Sequence, residues 1–229
     1  QLVSYELEQQ FKRSSQIELR ALQSQVDPHF LFNTIGTIVS VVRTDPGRAR
    51  TLLIDFSNYY RQTLGDAESL IPLSREFEQG MRYITLMQAR YGEDRLCITT
   101  SLDPDTVDML VPPFILQPIL ENCVKHGMRE IEPLHIGFSS KSIDDGVEIT
   151  VVDDGVGMPP EVLASAFDSN ARTEQPLQKG CGLALCNVMS RVRYFFDFRS
   201  GIDIQSTLGE GTTVRFKLVG APRRSKTAE

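Results

Sequence analysis

No stretch of the 229 residues offers 18 consecutive apolar positions, which excludes a helix that spans a bilayer. Positive charge is not in excess either. Lys and Arg number 24 against 30 Asp and Glu, a net charge of −6, which argues against a general nucleic-acid binder. The only basic cluster, Arg223, Arg224 and Lys226, reads as a solvated tail. The four cysteines (Cys97, Cys123, Cys181, Cys186) form no CxxC pair, and the three histidines lie far apart, so a zinc site is not expected. Cys97 and Cys123 sit in apolar surroundings and read as small core residues in a reducing, cytoplasmic compartment. Internal repeats and low-complexity tracts are missing. So are a starting Met and a secretory signal pattern, although the chain opens inside a helical pattern; an upstream sensor or membrane region is therefore expected.

Helix breakers are scarce at the start. Before Gly36 the only one is Pro28, and residues Leu2 to about Arg43 read as one long helix. Leu19, Leu22 and Val26 make a short coiled-coil seam. Beyond Pro28 the stripe moves to Leu31, Ile35, Ile38 and Val42. Asp45-Pro46-Gly47 marks a turn, and a second helix, about Gly47 to Leu64, shows Ala49, Leu52, Leu53, Phe56 and Tyr60 on one face. Two such helices form an antiparallel hairpin. One hairpin cannot cover both apolar faces, so a homodimeric four-helix bundle is expected.

The remainder mixes a helix over Leu73–Tyr91 with alternating elements. Strands are expected at Leu96–Ser101, Leu134–Ser140, Val147–Val152, Gly201–Ser206 and Thr212–Leu218, and helices at Pro113–His126 and Leu183–Phe196. Residues Met158–Lys179 read as mostly loop. The fold class is α+β: a helical hairpin (1–66), an α/β sandwich with a mixed sheet (67–220) and a basic tail (221–229).

Four segments carry candidate chemistry. In Asp27-Pro28-His29-Phe30-Leu31-Phe32-Asn33, His29 and Asn33 lie four apart on one helical face, away from the apolar stripe, with Pro28 expected to kink the helix. Imidazole is a competent nucleophile near neutral pH, though a surface histidine without a role explains the segment as well. Along Leu116–Gly127, Leu116, Ile119, Leu120, Cys123 and Val124 share one face, and Glu121, Asn122, Lys125 and His126 the other. That polar face suits hydrated Mg²⁺ and phosphate oxygens, or simply solvent. In Val151-Val152-Asp153-Asp154-Gly155-Val156-Gly157, a strand ends on Asp153, whose carboxylate can accept from an exocyclic amine; a plain acidic turn is the alternative. In Lys179-Gly180-Cys181-Gly182-Leu183, a Gly-x-Gly loop opens a helix whose free N–H groups favour phosphate, or is merely a flexible turn.

Order and spacing add what no segment holds alone. The DPHFLFN heptapeptide resembles the H-box of the LytS-like sensor histidine kinases, and Leu116–Gly127 is similar to their N-box. Asp153-x-Gly155-x-Gly157 resembles the G1 box, and Gly180-x-Gly182-Leu183 the G2 box, of the GHKL ATPase superfamily; Leu208–Thr213 looks like the loop before the closing strand. The resemblance covers roughly residues 17–218. It implies a GHKL-type sandwich that binds ATP with Mg²⁺ and phosphorylates His29. It implies that Asn122 holds Mg²⁺ and that Lys125 and His126 lie near the phosphates. Asp153 would bond the adenine amine, with Gly155 and Gly157 shaping that pocket. Gly180, Gly182 and Leu183 would offer N–H groups, Thr213 would reach toward Asp153, and Met158–Lys179 would form the lid. The acidic residue that follows the histidine in commoner histidine kinases is Phe30 here, which leaves Asp27 and Glu121 as candidate bases; Phe167 is the one candidate for a lid phenylalanine. The implied partners are a second copy and a response regulator receiver domain, with a membrane anchor only upstream. Two rival readings remain, a GHKL ATPase or serine kinase without phosphohistidine, and a non-catalytic dimerising scaffold.

Overall fold

The computed structural model describes residues 28–63, 69–165 and 181–222. The chain divides into two compact units, Gln1–Gly65 and Asp66–Glu229.

In the first unit, helix α1 (Pro28–Val42) turns back into helix α2 (Pro46–Thr63). Asp45 sets the start of α2, its carboxylate accepting from the Arg48 N–H at 2.8 Å. The hairpin closes over Thr34 and Ile38 on α1 and Ala49, Leu52 and Tyr59 on α2. Phe30 packs on Tyr59, ring centroids 5.2 Å apart, which brings the start of α1 beside the end of α2 and makes the pair antiparallel.

The stripes differ from those expected. On α1, Ile35 and Val42 are exposed while Thr34 is buried; on α2, Leu53 is exposed and Tyr59 is buried. The physical reason is that α1 is apolar on two sides, and the hairpin consumes only one. The other side, Phe32 (72 % exposed), Ile35, Val39 (63 %) and Val42, remains open. The helix proposed upstream of Pro28, the Leu19/Leu22/Val26 seam and any kink at Pro28 lie outside the described residues.

In the second unit, strands β2 (Leu96–Ser101), β4 (Leu134–Ile143), β5 (Gly146–Asp153), β6 (Gly201–Thr207) and β7 (Gly211–Val219) form one mixed sheet in the order β2-β4-β5-β7-β6. Only β2 and β4 are parallel, as expected for strands joined by a helical crossover. Helices α3 (Leu73–Tyr91), α4 (Gln117–Gly127) and α6 (Cys181–Phe195) pack on one face of the sheet. The core lies between these layers: Phe77 of α3 meets Phe138 of β4 at 5.0 Å, beside Leu120, Ile149, Val192 and Phe216. Pleat alternation sends Val147, Ile149, Val151 and Asp153 of β5 to the helix side, and leaves Val152 exposed on the other.

A two-residue ladder, β1 (Ile71–Pro72) with β3 (Leu110–Val111), and the short helix α5 (Pro160–Ser165) inside the expected loop are additional to the expected elements. Helix α4 starts later than the expected Pro113. Residues 113–116 form a turn with Phe114 at φ 61°, and the helix starts at Gln117. Among the described helices, none is long and apolar enough to cross a membrane.

Candidate functional site

His29 is exposed on the first turn of α1. The Asn33 amide nitrogen lies 3.0 Å from its Nδ1 and 3.3 Å from its Nε2, as four-residue helical spacing allows. Phe30 is drawn into the hairpin by Tyr59 and Tyr60, so the side chain after the histidine serves packing and not proton transfer. Asp27 lies outside the described residues.

Three of the four candidate segments lie in the second unit. Helix α4 buries Ile119, Leu120, Cys123 and Val124 against the sheet, and its other face turns Glu121 and Asn122, half-buried, and Lys125 and His126, exposed, outward. Partial desolvation of the ring, then the neighbouring Lys125 charge, holds the His126 imidazole below its ordinary pKa, which favours its neutral form. Glu121 accepts from the Gln117 side chain at 2.8 Å.

The C-terminal end of α4 touches the loop after β5. Asp153, 6 % exposed, accepts from the Gly155 N–H at 3.0 Å. Burial raises its carboxyl above the ordinary range, opposed by bonds from the Gly155 N–H, the Cys123 thiol and the Thr212 N–H. The Val156 N–H donates to the Gly127 carbonyl at 3.2 Å, and a Cβ on Gly155 would sit 2.4 Å from the Gly127 Cα. Gly157, at φ 68°, leaves its Cβ position 2.0 Å from the Thr207 carbonyl oxygen. Both glycines are thus demanded by close passage of the chain's own backbone, where the sequence suggested only approach of a ligand.

One candidate changes. Asp153 pairs across the sheet with Thr212, and Thr213 pairs with Val152 on the far face. Directly opposed residues share a face, so Thr212 accompanies Asp153 and Thr213 cannot. The Thr212 hydroxyl lies 2.9 Å from that of Ser206, which in turn accepts from the Met158 N–H at 2.8 Å. A period-2 count from Asp153 through the register would have found it, but register is not written in one strand alone.

Arg129 also escaped the sequence reading. Its guanidinium donates to the carbonyls of Gly155, at 3.0 Å, and Gly209, at 2.5 Å, tying the Asp153 loop to the β6–β7 turn. Arg95 in turn holds the Arg129, Glu130 and Ile131 carbonyls at 2.7 to 2.8 Å. No motif signals such backbone clamps.

Gly182 and Leu183 fall in the first turn of α6, which holds no acidic residue and whose N–H groups have no partner within the helix, the arrangement that suits an anion. Gly180, Phe167 and most of the expected lid lie outside the described residues. These features fit a purine nucleotide: an oriented, buried acceptor at a strand end for an exocyclic amine, an amide-bearing helix face for a hydrated cation, and a helix N-terminus for phosphate.

Comparison with known proteins agrees. The profile described as "Histidine kinase" matches residues 17–96, and that described as "Histidine kinase-, DNA gyrase B-, and HSP90-like ATPase" matches residues 114–221. The chain is 36 % identical over 220 residues to Sensor protein LytS of Bacillus subtilis, covering 95 % of this chain and 36 % of the relative. Against Sensor protein LytS of Staphylococcus epidermidis it is 38 % identical over 199 residues, 86 % of this chain and 33 % of the relative. The histidine kinase domain of a blue-light activated histidine kinase from Erythrobacter litoralis aligns over 91 % of this chain and 94 % of that one, at 16 % identity and TM-score 0.47. The chain thus spans about a third of the length of the curated relatives it matches. With both profiles in order along one chain, and LytS relatives aligned across both, this chain belongs to the LytS-like sensor histidine kinase family.

Proposed function

We propose that this chain is the catalytic core of a bacterial sensor kinase, an ATP:protein-histidine phosphotransferase that phosphorylates its own His29 and passes the phosphoryl group to a response regulator aspartate. The observation that carries it is an exposed imidazole bonded by Asn33 on a chain that also holds the buried, oriented Asp153 carboxylate.

Asn33 is a positioning residue. Its amide can turn Oδ1 toward Nδ1–H of His29, which leaves the lone pair on Nε2. That lone pair attacks the γ-phosphorus of ATP: an N–P bond forms, the bond to the ADP oxygen breaks, and the Nδ1 proton is released to a base. Asp27 and Glu121 are the acidic candidates. Glu121 keeps its carboxylate oriented through Gln117. Catalysis is then mostly positioning and charge neutralisation. Asp153 accepts from the adenine amine, Gly155 and Gly157 shape the loop around it, and Gly182, Leu183 and Gly180 offer N–H groups to the phosphates. Asn122 would hold Mg²⁺, with Lys125 and neutral His126 beside the phosphates. Mg²⁺ keeps several waters and takes few protein ligands, which suits one amide on an open helix face, and it would neutralise phosphate charge. A label from radioactive ATP that survives base and is lost in acid supports this function. A label lost in base indicates a serine kinase, and no label at all with normal ATP binding removes the kinase.

The strand register makes a paired expectation. Thr212→Val weakens ATP binding severalfold, because the Ser206–Thr212 hydroxyl pair beside Asp153 is lost. Thr213→Val, on the far face, leaves the dissociation constant unchanged. Calorimetric titration of both variants checks this, and equal losses would return Thr213 to the site.

The open face Phe32/Ile35/Val39/Val42 of α1, with Leu53 and Ile54 of α2, supports a homodimer through the hairpin. Light scattering should give twice the 25.7 kDa chain mass at micromolar concentration, and Val39→Glu with Ile35→Glu should return the monomer. The relatives are sensor proteins of which this chain matches about a third, which supports an anchor elsewhere in the whole protein and a cytoplasmic place for this part.

A further inference from the structure

Three elements of the second unit meet at one carboxyl group that the proposed chemistry does not use. Glu76, in the first turn of α3, is fully buried. Its Oε1 accepts from the Ile115 N–H at 2.6 Å, within the turn that precedes α4, and its Oε2 has no hydrogen-bond partner among the described residues. Burial pushes the carboxyl up to about 7, opposed by the Ile115, Leu116 and Phe114 backbone and by the charge of Arg191. Arg191 comes from α6. Its guanidinium donates to the Pro113 carbonyl at 3.1 Å and stands 5.6 Å from the centre of the Phe114 ring. The turn so gripped contains the one non-glycine residue with positive φ among those described, Phe114.

A buried carboxyl with one oxygen unpaired and a left-handed phenylalanine are each costly. Their coincidence at the root of α4 calls for a role there. Residues 113–116 decide where α4 begins, and α4 carries Asn122, Lys125 and His126. Arg191 belongs to the helix whose first turn carries Gly182 and Leu183. The two helices that bear the cation face and the phosphate-facing N–H groups are thereby joined through one turn. Asp153, on β5, is not part of that joint.

We infer that Glu76 and Arg191 are positioning residues for the nucleotide site: together they clamp the Pro113–Leu116 turn between α3 and α6, and so set the Asn122 face against the Gly182 end of α6. This rests on the ATP-binding reading above. Losing the clamp, which acts at the start of α4, should displace the phosphate and cation half of the site more than the adenine half, which the β5–β7 ladder and the Arg129 bonds also hold.

The test titrates wild type, Glu76→Gln, Arg191→Met and the double variant with Mg·ATP and with adenosine, well below each melting midpoint. The expected result is a Mg·ATP affinity at least tenfold weaker in each single variant, no further loss in the double variant, and adenosine affinity within twofold of wild type. Wild-type Mg·ATP affinity in folded variants overturns the inference, as does equal loss for both ligands or losses that multiply in the double variant. If Glu76→Gln and Arg191→Met do not fold, Arg191→Lys, which keeps the charge and loses the fork, is titrated in their place; failure of all to fold makes the pair structural only. Wild type that binds neither ligand overturns the ATP reading itself, which separates the two failures.

Discussion

Replacing His29 by Gln should abolish self-labelling by ATP, a loss of more than a thousandfold that takes the signal to background, while the dissociation constant for ATP stays within twofold. The two halves of this expectation have separate causes. Gln can bond Asn33 much as His does, but its amide has no basic lone pair with which to take a phosphoryl group. The proposed nucleotide residues Asn122, Asp153 and Gly182 all belong to the other compact unit, so removing an exposed imidazole from α1 should leave their hydrogen bonds in place. Autoradiography after incubation with labelled ATP reads the first half, and calorimetry the second. Persistent labelling would move the acceptor to another residue. Loss of both would mean that His29 supports the fold. Asn33→Ala should give an intermediate outcome, slower labelling at unchanged ATP affinity, because the ring keeps its nucleophile but loses the amide beside it, which is proposed to select its tautomer.

The second large effect is expected at Asp153. Asp153→Asn should weaken ATP binding roughly ten- to a hundredfold, the range for losing a charge-assisted hydrogen bond of about 1–3 kcal/mol. It should also narrow the preference for ATP over GTP. Adenine presents a donor at the edge where guanine presents an acceptor, and a carboxylate repels the latter while an amide can face either. The unliganded protein should respond in the opposite sense. Burial holds the Asp153 carboxyl above its ordinary pKa. A group raised in this way binds its proton more tightly in the folded state, so its contribution to stability is greatest below the unfolded-state pKa and falls as pH rises through the folded one. At neutral pH the ionised, desolvated carboxylate therefore costs stability, and a neutral amide of the same shape that still accepts from the Gly155 N–H relieves it. Thermal melting without ligand should show Asp153→Asn at or above wild type at pH 7. Weaker nucleotide binding in a protein no less stable distinguishes a ligand-facing carboxylate from a turn residue. Unchanged ATP affinity would place the pocket elsewhere.

Much of the architecture was legible because local patterns and tertiary demands coincide. Strand β2 and helix α3 run over the residues their periodicity marks, Leu96–Ser101 and Leu73–Tyr91. The alternation of β5 points Val147, Ile149 and Val151 inward and delivers Asp153 to the same side, so the position of that carboxylate follows from a period of two. Helix α4 likewise separates its apolar Ile119/Leu120/Cys123/Val124 face from Glu121, Asn122, Lys125 and His126 at a period of 3.6. In α1 the pattern was ambiguous. A helix with apolar residues on two sides does not say which side its hairpin partner takes, and Thr34 was buried in preference to Ile35 because Phe30 and Ile38 flank it on the side facing α2.

The amino-acid sequence by itself determined the longer elements and the faces on which His29, Asn33, Asn122 and Asp153 stand, because helical and strand periods are properties of a single segment. Only the tertiary structure decided what depends on chains meeting. Thr212 stands beside Asp153 because of the β5–β7 register, which pairs residues about sixty positions apart. Gly155 must lack a side chain because Gly127 of α4 passes there. Helix α4 begins at Gln117 because the Glu76 carboxyl takes the Ile115 N–H, a bond across 39 residues of sequence. Arg129 fixes the Asp153 loop by gripping two carbonyls, and a backbone carbonyl is present in every residue. Contacts to backbone leave no mark in side-chain pattern, so they became visible only once the chain had folded.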